Sequence, residues 1–295
     1  MNSIIRAALG SAAVASFALA AATAAAAAPF GTRTAKMFLS DGQNVQVFAI
    51  DNQSPGNPLG TIHPTEAKGL AVDRGHLFVA RQNLGDVLVY DTSSLRQIGR
   101  LTDRGQQPSS VAVGTDGTIY VGNQFSAQGS AGSVSVYAPG SRTPTRTLTC
   151  SRLYMMNGVA VNAHGDIFVN QNRSQGYGTG EVDVFQAGSA SCRVLPLSIN
   201  YAGGATVDPM TNDLIVADEG SRQIFIVAPP YRSVTETITL PRCIGEGVVD
   251  VALDPANALL YVADPNNGAD VLTYPGGTRI ATYYTSSGNG IAISR

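Results

Sequence analysis

The sequence predicts an all-β fold: a six-bladed β-propeller of four-stranded blades, its ring closed by the C-terminal strand joining the N-terminal blade. Three observations carry this expectation. A unit of 40 to 48 residues recurs along the chain, each unit holds four short strand-like runs, and the unit left unfinished at the C-terminus is completed at the N-terminus.

The units begin "GLAVDRGHLFVARQN" at Gly69, "SVAVGTDGTIYVGNQ" at Ser110 and "GVAVNAHGDIFVNQN" at Gly158. "GATVDPMTNDLIVADEG" follows at Gly204, "DVALDPANALLYVADPN" at Asp250, and "GIAISR" restarts the unit at Gly290. Successive starts lie 41, 48, 46, 46 and 40 residues apart, the period of one propeller blade. The missing outer strands of the last unit are found in "KMFLSDGQNVQVFAID", residues 36–51. Such closure removes the free sheet edge that would otherwise invite association.

Within a unit the first run ("LAV", "VAV") is strand a, and a Gly/Asp/Asn turn leads to an apolar strand b ("LFVA", "IYVG", "IFVN"). An alternating strand c ("DVLVY", "SVSVY", "EVDVF") and a Thr/Leu-rich strand d ("TRTLT", "TETITL") complete it. Blades radiate from an axis, so the gap between them narrows inward. Strand a accordingly carries Ala71, Ala112, Ala160, Thr206, Ala252 and Ala292, whereas strand b carries Phe78, Tyr120, Phe168, Ile215 and Tyr261. The His and Asp of "NAHGD" occupy the same a-to-b turn as "GTDGT" and "DRGHL". His164 therefore reads as a solvent-facing turn residue, and Gly165, Gly117 and Gly75 as positions needing a positive φ.

Composition agrees with a turn-rich β protein: 44% apolar, 14% charged, 32 Gly and 15 Pro in 295 residues. The net charge is -2 and the basic residues are scattered, which argues against a nucleic-acid partner. Residues 1–28 read as a signal peptide, with Arg6 in the n-region, an apolar stretch from Ala7 and A-x-A sites in a poly-Ala tract; a retained anchor is the alternative. The mature domain, 29–295, is then secreted or periplasmic with no membrane span. Export makes disulfides chemically possible, but Cys150, Cys192 and Cys243 are odd in number, so at least one is unpaired within the chain; they lack zinc-site spacing and read first as three semi-buried thiols.

Departures from the repeat mark the candidate site. Two b-to-c connections are long, "GNQFSAQGSAG" (122–132) and "NQNRSQGYGTG" (170–180), and they belong to neighbouring blades. Gln124, Phe125, Arg173 and Tyr177 are their binding candidates, through amide hydrogen bonds and ring stacking; solvated surface loops are the alternative. The expected partner is a small polar molecule, a glycan or a protein at the channel mouth. Absence of Trp weighs against a lectin. Carboxylates recur at the end of strand b (Asp41, Asp218, Asp264, with Asn123 equivalent), as expected of groups accepting turn N–H bonds; the unrepeated Glu219 is a better functional candidate.

The units "GVVDVALDPANALLYVADPNNGADVLTY" and "GATVDPMTNDLIVADEGSRQIFIV" resemble NHL repeats, and the mature chain resembles the wider NHL and senescence-marker protein–gluconolactonase group of six-bladed propellers. That resemblance implies the fold but no single activity, since the group includes lactone hydrolases, lyases and binding proteins. Its lactonase branch holds a divalent cation with a Glu, Asn side chains and an Asp ahead of inner strands. Asn157-Gly158 and Asn289-Gly290 match the Asn-Gly pattern, Gly203-Gly204 stands where Asp-Gly is expected, and the Glu246 of "GEG" is displaced. Such a set makes a poor cage for a hard cation, so no cofactor and no metal site are expected. A base for lactone hydrolysis would come from Glu246, Asp250 or Glu219 only by conjecture. No G-x-S-x-G elbow or phosphate-binding glycine loop is present. The sequence reading is a binding or interaction module with no assigned catalytic residue, the alternative being a divergent metal-dependent lactone hydrolase.

Overall fold

The computed structural model describes residues 35–50, 55–126, 131–240, 247–254, 256 and 258–294. The expected signal peptide, Glu246 and Cys243 lie outside the described residues. Among the described residues no helix is long and apolar enough to cross a membrane.

Six four-stranded antiparallel sheets follow one another along the chain. Their inner strands are Ala67–Asp73 in blade 2, Gln106–Val113 in blade 3, Met155–Val161 in blade 4, Ala202–Val207 in blade 5 and Asp250–Asp254 in blade 6. Blade 1 takes its inner strand from the other end of the chain: Gly290–Ser294 pairs with Lys36–Ser40, which continues to Val45–Ala49 and Gly60–Ile62. The composite blade expected from the unfinished repeat is present.

The small-inside, large-outside pattern is a register. Ala71 sits opposite Phe78, Ala112 opposite Tyr120, Ala160 opposite Phe168, Thr206 opposite Ile215 and Ala252 opposite Tyr261. In the closing blade Ala292 faces Phe38. Gly75, Gly117 and Gly165 all have positive φ, between 82° and 87°, and His164 is exposed in its turn.

The core is divided among the blade interfaces. Phe168 packs toward blade 5, with Val216 and Phe225, while its neighbours Ile167 and Val169 pack toward blade 3, with Tyr120 and Val136. The same alternation joins blades 1 and 6 through Met37, Leu39 and Tyr261. Period-two strands buried on both faces explain why strand b is a continuous apolar run rather than an alternating one.

The thiol expectation is corrected. Cys150, just after strand d of blade 3, and Cys192, at the start of strand d of blade 4, form a disulfide across 42 residues of sequence. Spacing alone did not reveal the pair, because the ring brings the two outer strands together.

Candidate functional site

The b-to-c and d-to-a connections form one face of the ring, here the loop face; the a-to-b turns lie on the opposite, turn face. The "long loops" prove shorter than expected. In blade 3 strand a starts early, at Gln106, and strand b extends with it as Ile119–Ser126, so Gln124 and Phe125 stand on strand rather than loop. In blade 4 strand b runs to Asn172, and Asn170, Gln171 and Asn172 are wholly buried.

Asn170 and Asn172 join blades 4 and 5, whereas Gln171 bonds within blade 4. Asn170 Nδ2 donates to Gly203 O at 2.9 Å and Ala217 O at 3.2 Å, and Asn172 Oδ1 accepts from Ala202 N at 2.9 Å. Gln171 Nε2 donates to Asp183 Oδ2 at 2.6 Å and to Glu181 Oε1 at 3.0 Å. Burial and the adjacent Asp183 hold the Glu181 carboxyl above its ordinary pKa, against the pull of Arg152. The strand-b carboxylates behave as expected: Asp41 Oδ1 accepts the Gln43 and Asn44 N–H groups, Asp218 Oδ1 those of Gly220 and Ser221, and Asp264 Oδ1 that of Asn266. Asn123 departs from them. It is buried and donates to the Ser133 and Ser135 hydroxyls.

Of the predicted site residues, the structure joins Gln124 and Asn157 directly. Gln82 Nε2 donates to Gln124 Oε1, Gln124 Nε2 to Asn157 Oδ1 at 3.1 Å, and Asn157 Nδ2 to Ala202 O at 2.6 Å. This amide chain crosses from blade 2 to blade 5, and Gln82 was missed because it sits in a short, unremarkable connection. Asn157 is thus engaged at both ends of its amide.

Beside the chain an aromatic pair recurs in two neighbouring blades. Phe125 meets Tyr154 edge to face with ring centroids 5.7 Å apart, and Tyr177 meets Tyr201 at 5.4 Å. In each case a ring from one blade's b-to-c segment rests on a tyrosine from the next blade's d-to-a segment. Tyr177 is 64% exposed and Tyr154 37%. Glu219 joins the second pair: its N–H donates to Tyr201 O at 2.8 Å. Burial raises the Tyr201 pKa, with the charge of Glu219 and then Tyr177 adding to it. The tyrosine partners escaped the sequence reading because they precede strand a, where the repeat is least regular.

Two predicted residues stand apart. Arg173 lies 3.9 Å from Glu181 and extends the Arg152–Glu181–Asp183 cluster. Asn289 donates to Ser287 Oγ at 3.0 Å at the entry to blade 1, across the ring from Asn157 in blade 4. Among the described residues no group of three His, Cys, Asp or Glu side chains is placed to hold a metal ion.

The axial channel has a volume of about 340 Å³. Its lining runs from Ser110, Asp250 and Ile291 at one end to Asp73, Thr115, Ala163 and Pro209 at the a-to-b turns, so it opens on the turn face. At the loop-face end the lining borders the residue two places before the small residue of each inner strand. That position is Gly69, Ser110, Gly158, Gly204, Asp250 and Gly290 around the ring. A Cβ on Gly69 would lie 2.5 Å from Ser109 O, one on Gly158 2.9 Å from Gly203 O, and one on Gly290 2.3 Å from Lys68 O. Neighbouring inner strands touch here, and glycine is what lets them.

The two side chains in this ring make the same lateral bond. Ser110 Oγ accepts Val159 N–H at 3.1 Å, and Asp250 Oδ2 accepts Ile291 N–H at 3.1 Å, each from the next blade. Asp250 Oδ1 also accepts Val251 N–H at 2.9 Å. Burial raises the Asp250 carboxyl to about 7, against these N–H bonds that lower it. The signal for Asp250 lay in the sequence: it is the one acidic residue at a position that is glycine in four blades.

Fold and face together define a six-bladed β-propeller, nidogen-like in architecture. The chain is similar to a chain in the crystal structure of a nidogen/laminin complex, with a TM-score of 0.71 and 13% identity over 88% of this chain and 98% of that one. It is also similar to a protein of unknown function from Bacteroides caccae, with a TM-score of 0.66 and 10% identity over 89% and 99%. No protein-family model and no curated protein matches the chain.

Proposed function

We propose that the protein is exported and acts as a binding or interaction module, engaging a small polar molecule, a glycan or a protein through the loop face of blades 3 to 5. The observation that carries this reading is the repeated aromatic pair, which leaves Tyr177 and Tyr154 exposed beside neutral amides. Rings next to hydrogen-bonding groups supply both stacking area and orientation. The Cys150–Cys192 disulfide supports an oxidising compartment. One fold neighbour is a chain from a nidogen/laminin complex, which supports a role in protein recognition.

A divergent metal-dependent lactone hydrolase is the second reading, and it rests on the Asn157-Gly158 resemblance. It is the weaker one, because both ends of the Asn157 amide are already engaged within the protein. With no Trp and 11 Tyr in the chain, the loop-face share of the tyrosine emission is read as the difference between the parent and a variant lacking Tyr154 and Tyr177. Titration with neutral disaccharides and short Gly/Asn-rich peptides is expected to give a saturable change that is lost in a Tyr154→Ala/Tyr177→Ala variant. Lactone turnover that disappears with chelator and with Asn157→Ala would replace this reading with the hydrolase.

A further inference from the structure

We propose that the axial channel is a second binding site, entered from the turn face, for a compact primary alkylammonium whose charged head meets Asp250 at the loop-face end. The walls are set by the taper of the blades: Ala71, Ala112, Ala160, Thr206, Ala252 and Ala292 keep the channel open where larger residues would fill it. Its volume of about 340 Å³ falls at the lower end of the range for small-molecule pockets.

The chemistry of the loop-face end selects the ligand. Ser110 of blade 3 and Asp250 of blade 6, three steps apart in a ring of six, both line the channel there. Each Asp250 oxygen accepts one backbone N–H and keeps a lone pair for another donor. Among the described residues no Lys, Arg or His forms an ion pair with Asp250. Asp73 is the other carboxylate of the lining, and it stands at the open end with Arg74 at 3.8 Å. A half-buried carboxylate with no ion-pair partner among the described residues, in a tube whose walls carry alanine and valine side chains, favours a ligand with a cationic donor head and a short alkyl body. A primary ammonium has three N–H donors, enough to bond both Asp250 oxygens. Burial holds the Asp250 carboxyl near 7, and an arriving cation shifts it toward the ionised form.

The loop-face reading concerns the exposed rings of blades 3 to 5 and this one the inside of the channel entered from the turn face, so each can fail without the other. Calorimetric titration of the full chain with n-butylammonium, with n-butanol and butyrate as neutral and anionic matches, tests the channel. Saturable binding of n-butylammonium is expected, with butanol at least about tenfold weaker and butyrate not bound, as a charge-assisted bond requires. Asp250→Asn is expected to abolish the preference for the cation. Ala112→Leu, which narrows the tube without touching Asp250, is expected to abolish binding of both butylammonium and butanol, whereas Tyr177→Ala leaves it unchanged. Equal binding of alcohol and ammonium, no binding of either, or full ammonium binding by Asp250→Asn in a cooperatively melting protein would each overturn the proposal.

Discussion

Replacing Gly204 by Ala tests whether the loop-face end of the channel is built as described. The added Cβ would fall 1.9 Å from Asp250 Oδ1 and 2.7 Å from its Cγ, where ordinary contact begins at 3.4 Å. The carboxylate must therefore retreat by about 1.5 Å or turn away. Either movement breaks the bond to Val251 N–H, now 2.9 Å, or to Ile291 N–H, now 3.1 Å. A hydrogen bond to a charged group is worth about 1.5–3 kcal/mol, and overpacking adds about 1–3 kcal/mol. Asp250 Cα at 3.0 Å leaves residual crowding whatever the side chain does. The expected loss for Gly204→Ala is about 3–5 kcal/mol, read as a lower urea midpoint at unchanged slope. Gly204 does not need a left-handed backbone, so strain of that kind does not enter the figure. In an Asp250→Ala background the same substitution is expected to cost about 2 kcal/mol less, and a double-mutant cycle isolates that coupling. A loss under about 1 kcal/mol, or equal losses in both backgrounds, would refute the contact.

Two further outcomes follow from the same structure. Replacing Cys150 and Cys192 by Ala releases a loop closed across 42 residues and is expected to lower stability by about 2–4 kcal/mol, whereas reductant is expected to destabilise the parent and leave this variant unaffected. Asp250 gives a pH signature of unusual sign. Its folded-state value near 7 lies above the unfolded value of about 3.9, so between these the folded state holds the extra proton. Its contribution is therefore full below about pH 4 and lost as pH rises through 7, a span on the order of 3–4 kcal/mol that water in the channel reduces. Comparing urea midpoints of the parent and Asp250→Asn from pH 4 to 8 reads it, and a parent that gains stability over Asp250→Asn across that range would contradict the assignment.

Much of the architecture was legible in the sequence, because a blade is a local object. Strands a to d pair within about 45 residues, and their spacing sets the number of blades. The taper of the gap selects alanine inside and aromatic residues outside, so the pairs Ala112–Tyr120 and Ala160–Phe168 could be read before any coordinates existed. The unfinished "GIAISR" likewise fixed the closing strand, and the turn glycines 75, 117 and 165 announced their own backbone.

What the ring decides is different, since it depends on which surfaces curvature brings together. The amides at 170–172 look like a polar loop in sequence, but blade 5 covers them and turns them into lateral hydrogen bonds. Arg173 shares its segment with Tyr177 and Asn289 its Asn-Gly pattern with Asn157, yet the ring sends one to an ion pair and the other to the far side of the axis. Cys150 and Cys192 meet only because neighbouring outer strands stand side by side. The sequence by itself determined six blades, their closure and the residues facing the axis, because short-range pairing and the narrowing gap leave a periodic trace. Only the tertiary structure decided that the inner strands touch at these glycines and that Asp250 lies in the channel lining against Gly204 and Ile291. The recurring glycines mark the contact in the sequence, but which groups it brings against Asp250 depends on the closed ring.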